Sequence, residues 1–179
     1  MATGIAPTNN FESAIDANLN PGAYTAVVSG KSNTSGIALV EIYDIDQTGS
    51  KLANISTRAL VQTADNIVIA GFILSNAGSG RVVARGLGPS LAAAGLPNAL
   101  SDPTLDLRDA NGVLLATNNN WQDDAGQAAE LTAAGLAPAN DLESAIATTL
   151  PAGLYTALLS GVNGGVGVGL VEVYDRGAP

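Results

Sequence analysis

The chain has 179 residues, with 16 acidic and seven basic side chains and with neither cysteine nor histidine. Without those two residue types the chain cannot build zinc fingers, iron–sulfur clusters, disulfide frameworks or Ser–His and Cys–His catalytic pairs. A net charge of −9 argues against nucleic-acid binding, which depends on Lys and Arg at the phosphates. The apolar stretches are too short to cross a bilayer, so we expect no membrane insertion.

Hydrophobic residues make up 46% of the chain, and charged residues make up only 13%. The first value predicts a packed core, and the second implies a polar surface built from Ser, Thr, Asn and Gly. This composition is typical of extracellular bacterial β-modules. We therefore expect an extracellular or cell-surface location.

Short apolar runs rich in β-branched residues and bounded by Gly, Pro and Asn predict strands. Two short helices are predicted near residues 89–94 and 125–134, each followed by a glycine that stops it. Asn111-Gly112 predicts a hairpin turn because glycine accepts positive φ, and residues 76–80 predict a second hairpin loop. Together these elements indicate an all-β protein, an antiparallel jelly-roll-like β-sandwich with one or two short helices. In chain order the predicted strands lie near residues 24–29, 37–43, 55–62, 66–75, 81–86, 104–108, 113–117, 154–160 and 168–174.

The sequence contains an internal repeat, which determines how the chain is divided. Residues 3–44 match residues 134–175 at a constant offset of 131 positions without a gap, and 21 of the 42 pairs are identical. The chain is therefore predicted to have three parts: an N-terminal half-repeat, 1–46, in which residues 3–46 copy 134–177; a junction, 47–51; and a complete β-sandwich repeat, 52–179.

The half-repeat supplies two predicted strands, enough for a hairpin, and a lone hairpin is marginally stable in water. Its apolar residues need a partner. They could pack beside their copy within the chain, or they could lie against the first half of a neighbouring chain by strand addition. The second arrangement is head-to-tail and generates a ring or an open filament. We therefore expect the chain to bind itself as a homopolymer, through an interface comprising Tyr24, Val28, Ile37, Leu39, Ile42 and Tyr43.

Several segments resemble known secreted modules. Residues 106–119 followed by 150–157 resemble the jelly-roll modules of the bacterial pre-peptidase C-terminal type. The resemblance is closer to tandem repeats in large secreted proteins of environmental bacteria. It implies a jelly-roll fold, an extracellular address and a role in adhesion or as cell-surface scaffold, and it carries no catalytic residues. The segments with this closer resemblance are Ile55–Arg58, Arg85–Leu91, Asn120-Trp121 and Val171–Asp175.

Two loops are rich in side-chain oxygens and could bind Ca²⁺, which takes about six to eight oxygen ligands. The alternative, which we favour, is that these side chains hydrogen-bond their own backbone. EF-hand spacing is absent, so no cofactor and no firm metal site are predicted, with Ca²⁺ left open. The calcium candidates are Asp109, Asn111, Asn118, Asn120, Asp123 and Asp124.

Trp121, the only tryptophan, could stack on a sugar, which leaves a glycan open as a partner. A lone tryptophan more often fills a core edge with its N–H bonded. Glutamates recur at equivalent positions as Glu12 with Glu143 and Glu41 with Glu172, and recurrence favours packing or capping over a unique active site. We therefore predict that the protein is not an enzyme. The alternative function is a calcium- or carbohydrate-binding adhesion module appended to a secreted protein.

Four of the five arginines lie on or beside predicted strands, which could indicate a site for an anionic ligand. We favour ion pairs at the rim of the sandwich instead. The arginines are Arg58, Arg81, Arg85 and Arg108, and the expected partners are Asp65, Asp102, Asp106 and Glu130.

Overall fold

The computed structural model describes residues 4–45 and 52–177, so the predicted junction at residues 47–51 lies outside the described residues. The chain divides into two compact units, the first ending at Lys51 and the second beginning at Leu52. Among the described residues, no helix is both long enough and apolar enough to cross a membrane.

The second unit is an antiparallel β-structure with two short helices. Its elements are β1 (Asn54–Val61), β2 (Val68–Leu87), α1 (Pro89–Ala93), β3 (Pro103–Asp109), β4 (Leu114–Asn118), α2 (Ala125–Ala133), β5 (Ser144–Gly161) and β6 (Gly167–Asp175). The strands are hydrogen-bonded in the order β1-β6-β2-β5-β3-β4. The all-β class and both short helices predicted from the sequence are confirmed.

The two longest strands, β2 and β5, fold this sheet into a two-layer sandwich. Their pairing register shifts between Leu74 and Ser79, and Ser79 resumes pairing with the same partner strand at Pro151. Gly78, with φ of +116°, lies in this irregular segment. The hairpin loop expected at residues 76–80 is therefore wrong, because the chain bends and continues along β5 instead of turning back on itself.

The inner faces of the two layers enclose the main core. Leu105 and Leu107 of β3, Leu159 of β5 and Val171 of β6 are fully buried there, at alternate positions of their strands. A second cluster forms where α2 covers the outer face of the layer that contains β6, and Leu131 is its fully buried centre. One layer is therefore buried on both faces.

The first unit differs from expectation. Residues 4–45 contain no strand and one short 3₁₀ turn, Lys31–Asn33, although strands were predicted near 24–29 and 37–43. The predicted hairpin is therefore wrong. In the complete repeat the equivalent strands, β5 and β6, do not pair with each other, because β2 lies between them. A half-repeat without its own β2 cannot make these ladders.

Candidate assembly site

The half-repeat lacks strands, but it shares a side-chain-to-backbone hydrogen bond with its copy. The Tyr24 hydroxyl donates to the Asn20 carbonyl oxygen at 2.7 Å. At the equivalent positions, the Tyr155 hydroxyl donates to the Pro151 carbonyl oxygen at 2.9 Å. The two copies therefore share this tyrosine contact across an offset of 131 residues.

A tight turn follows in both copies with the same geometry. Its central residue is left-handed in each, with φ of 57° at Ser32 and 54° at Asn163. A Cβ added at the glycine that opens the turn would lie 2.0 Å from a backbone oxygen at Gly30 and 2.2 Å at Gly161. Both copies thus need glycine there for the same steric reason.

Burial distinguishes the two copies. Ile15 is 90% exposed, whereas its equivalent, Ile146, is 3% exposed. Val40 is 48% exposed, whereas Val171 is fully buried. The half-repeat therefore exposes the side chains that its copy buries in the core. The residues predicted to form the assembly interface are all exposed: Tyr24, Val28, Ile37, Leu39, Ile42 and Tyr43.

Glu143 is a fully buried carboxylate that holds the loop in front of α1. Its Oε1 accepts the N–H of Gly88 at 3.0 Å, the N–H of Ser90 at 2.9 Å and the hydroxyl of Ser90 at 2.5 Å. Its Oε2 accepts the N–H of Asn140 at 3.3 Å. The capping role predicted from its recurrence is confirmed. The equivalent glutamate of the half-repeat, Glu12, is exposed.

Glu172 and Tyr174 hold an arginine of β2. Arg85 donates from Nε to Glu172 Oε2 at 2.9 Å and from Nη2 to the Tyr174 hydroxyl at 2.9 Å, and its guanidinium lies 5.2 Å from the centre of the tyrosine ring. Burial, reinforced by the charge of Glu172, raises the pKa of Tyr174. In the half-repeat, Tyr43 donates to Glu41 Oε1 at 3.0 Å. The sequence of residues 4–45 contains no arginine to join them.

The arginine pairs were predicted with mixed success. Arg81 Nε donates to Glu130 Oε1 at 2.7 Å, and Arg108 Nη2 donates to Asp106 Oδ2 at 2.9 Å, as expected. The hydrogen bond from Arg81 lowers the pKa of Glu130. None of the four expected acids pairs with Arg85, because its acceptor, Glu172, lies on β6, a strand that sequence spacing does not place beside β2.

The oxygen-rich loops bond to the backbone. Asp109 Oδ1 accepts two N–H groups of its own turn at 2.9 Å, and Asp124 Oδ1 accepts an N–H in the first turn of α2 at 2.7 Å. Asn118 Oδ1 accepts the N–H of Ala145 at 2.9 Å. Within residues 4–45 and 52–177, no group of three or more His, Cys, Asp or Glu is placed to hold a metal ion. The other candidates lie on the same two loops: Asn111, Asn120 and Asp123.

Trp121 lies in the second hydrophobic cluster with Leu131 and Leu136 and is 8% exposed. The core-edge packing predicted for it is confirmed. Its indole N–H is buried with no hydrogen-bond partner among the described residues, so the expected bond is not found. With 8% of its surface exposed, Trp121 is mostly covered by its neighbours.

No protein-family model matches the chain, and no curated protein matches it. Among solved structures, it is similar to the pre-peptidase C-terminal domain of a collagenase from Bacillus anthracis, with a TM-score of 0.42 and 13% identity. The match covers 67% of this chain and 88% of that chain.

Proposed function

We propose that this protein is a non-enzymatic, extracellular structural module that self-associates head-to-tail through residues 4–45, forming a filament or surface layer. The contrast between the two copies carries the proposal. They share local turns and hydrogen bonds, yet equivalent apolar side chains are buried in one and exposed in the other. An exposed apolar set of this kind is typical of a protein interaction surface.

The driving force is apolar burial. Completely burying one Val, Leu or Ile side chain contributes about 1.5–3 kcal/mol, and the half-repeat exposes Ile15, Val28, Val40 and Ile42 among others. The net charge of −9 opposes association, because copies of the chain repel one another. Salt screens this repulsion, so assembly should increase with ionic strength.

The structural role is supported by the chemistry of the recurring glutamates. Glu143 caps a loop and Glu172 pairs with Arg85, so both acids of the complete repeat are engaged in holding the fold. The low content of charged residues, 13%, supports the extracellular address, because the surface depends on Ser, Thr, Asn and Gly.

Static light scattering and negative-stain microscopy of the purified chain, over a range of concentration and salt, test the proposal. We expect elongated assemblies, and we expect deletion of residues 1–51 to leave a folded monomer, because the second unit has its own cores. Ile15→Ser should weaken assembly. The matched control is Ile69→Ser, which removes an aliphatic side chain that is 57% exposed on the second unit.

A monomer at high concentration would contradict the proposal. Assembly by the deletion variant would contradict it as well, because residues 4–45 would then not be the connector.

A further inference from the structure

We infer that residues 4–45 accept one specific segment, the first half of the complete repeat (residues 52–130) from a second copy of the chain. The second part of β2 forms the centre of this contact. The inference rests on the proposed self-association, and it identifies the segment that completes the half-repeat.

Strand pairing in the complete repeat shows which residues lie on either side of β2. We call a segment that contains both of these neighbours an acceptor. Residues 82–86 of β2 pair with residues 144–148 of β5 on one side, and residues 82–87 pair with residues 170–175 of β6 on the other. The repeat offset of 131 maps these two partners onto residues 13–17 and 39–44. The half-repeat therefore contains both neighbours of a β2 strand and lacks the strand itself, which is the arrangement used in strand complementation.

Two acidic anchors support this register. Glu12 is equivalent to the glutamate that binds the loop at Gly88 and Ser90, and Glu41 is equivalent to the glutamate that binds Arg85. Both are exposed. The incoming segment, 52–130, carries all three complementary groups: Arg85 on β2, Gly88 just after it and Ser90 in α1. It would therefore bind both anchors at once.

A retained glycine points to the same partner. In the complete repeat, a Cβ added at Gly167 would lie 2.6 Å from the backbone nitrogen of Leu100, which belongs to the first half. The half-repeat also has glycine at this position, Gly36, although a Cβ added there would meet nothing within 4 Å. An incoming segment placed like the one at Leu100 would give Gly36 the same steric role as Gly167.

Two substitutions between the copies compensate each other. A Cβ added at Gly169 would lie 2.6 Å from Cδ2 of Leu159, on another strand of the sandwich. In the half-repeat, the residue equivalent to Gly169 is the larger Ala38, and the residue equivalent to Leu159 is the smaller Val28. Exchanging volume between facing positions preserves core packing. It therefore indicates that residues 28 and 38 face each other when the half-repeat is completed.

Each chain has one first half and two acceptors, because residues 131–177 are an acceptor as well. Exchange between copies links them head-to-tail and always leaves one acceptor per chain vacant. The second unit must open to release its first half, so exchange is slow between folded chains and faster when chains refold together.

Disulfide trapping tests the register, since the chain has no native cysteine. Arg81 lies directly opposite Thr149, whose equivalent in the half-repeat is Asn18. Directly paired strand residues are close enough for a disulfide. Two single-cysteine variants are made, one carrying Asn18→Cys and the other Arg81→Cys. They are unfolded in urea, mixed, refolded together and oxidised. We expect a mixed disulfide dimer in several-fold higher yield than from the control pair, Ala23→Cys with Arg81→Cys.

The control cysteine tests specificity. Ala23 is equivalent to Leu154, which pairs with Ile73 and not with Arg81. Adding Glu12→Gln and Glu41→Gln to the Asn18→Cys chain should reduce the specific yield several-fold, because both anchors are weakened. Arg81 lies at the rim with 28% of its side chain exposed, and circular dichroism checks that its variant folds.

Equal yields from the two cysteine positions would overturn the inference. If light scattering of those samples still shows association, the proposed function stands and the assignment of the complementing segment is wrong. If neither association nor a specific disulfide forms, both proposals are wrong.

Discussion

Removing the Glu143 carboxylate should destabilise the complete repeat strongly. This side chain is fully buried and accepts hydrogen bonds from two backbone N–H groups, of Gly88 and Ser90, and from the Ser90 hydroxyl. In Glu143→Ala these donors lose their acceptor, and the N–H of Gly88 is buried, so water does not replace the carboxylate there. A buried donor left without a partner costs about 1–3 kcal/mol.

The two backbone donors are fixed in place, whereas the hydroxyl can rotate toward another acceptor. We therefore expect Glu143→Ala to lower the free energy of unfolding by about 4 kcal/mol, a large share of the roughly 5–15 kcal/mol of a typical domain. Glu143→Gln keeps one acceptor oxygen but loses the charge that strengthens the bonds, so it should cost about 1–2 kcal/mol. Glu12→Ala, at the exposed equivalent position, should change stability by less than about 0.5 kcal/mol.

Urea unfolding at pH 7 measures these differences, at a protein concentration low enough to keep the chain monomeric. The fluorescence of Trp121 reports on this region, because its backbone N–H donates to the Glu143 carbonyl oxygen at 2.8 Å. The order of cost should be Glu143→Ala, then Glu143→Gln, then Glu12→Ala. An equal cost at the two equivalent glutamates, or a cost below about 1 kcal/mol for Glu143→Ala, would refute the reasoning.

Three further results are expected. Gly169→Ala should lower the free energy of unfolding by about 2 kcal/mol by overpacking against Leu159, and adding Leu159→Val to the same chain should recover part of that loss. Urea unfolding measures both, and additive losses from the two substitutions would contradict the reasoning. Because burial raises the pKa of Tyr174 in the folded state, stability should fall as pH rises above about 10, and it should fall less in Tyr174→Phe. Thermal melts measure this, and an equal loss of stability in both proteins would contradict it. The melting temperature should be the same with calcium as with a chelator, because Asp109 and Asp124 already accept backbone N–H groups. A higher melting temperature with calcium would favour the alternative of an adhesion module.

The sequence predicts where strands lie in the complete repeat better than where they end. The strand predicted near residues 154–160 begins at residue 144 in the structure, and two strands predicted around residues 76–80 are one. In both places, Gly, Pro or Asn interrupts the apolar pattern. These residues mark a bend, where a long strand passes from one layer to the other, and a bend has the same local signature as a turn.

The half-repeat shows directly that a local sequence pattern does not by itself determine whether a strand forms. Two segments that are identical at 21 of 42 positions form β5 and β6 in one place and no strand in the other. Strand formation depends on partners across the sheet, and the partner here is β2, which comes from a different part of the chain. The recurrence of Glu143 signalled a structural role, but its partner loop lies 55 residues away and could not be identified from spacing.

Because each chain has one first half and two acceptors, which chain supplies the strand and what drives association are separate questions. Exchange between copies conserves the number of completed sandwiches, so it links chains without increasing the number of strand ladders. The acceptor that is left vacant exposes apolar side chains, such as Ile15 in the half-repeat or its equivalent Ile146 in the complete repeat. The free energy of association must therefore come from burying this vacant surface between copies. Disulfide trapping therefore reports which chain supplies the strand, whereas light scattering reports whether copies associate by burying the vacant surface.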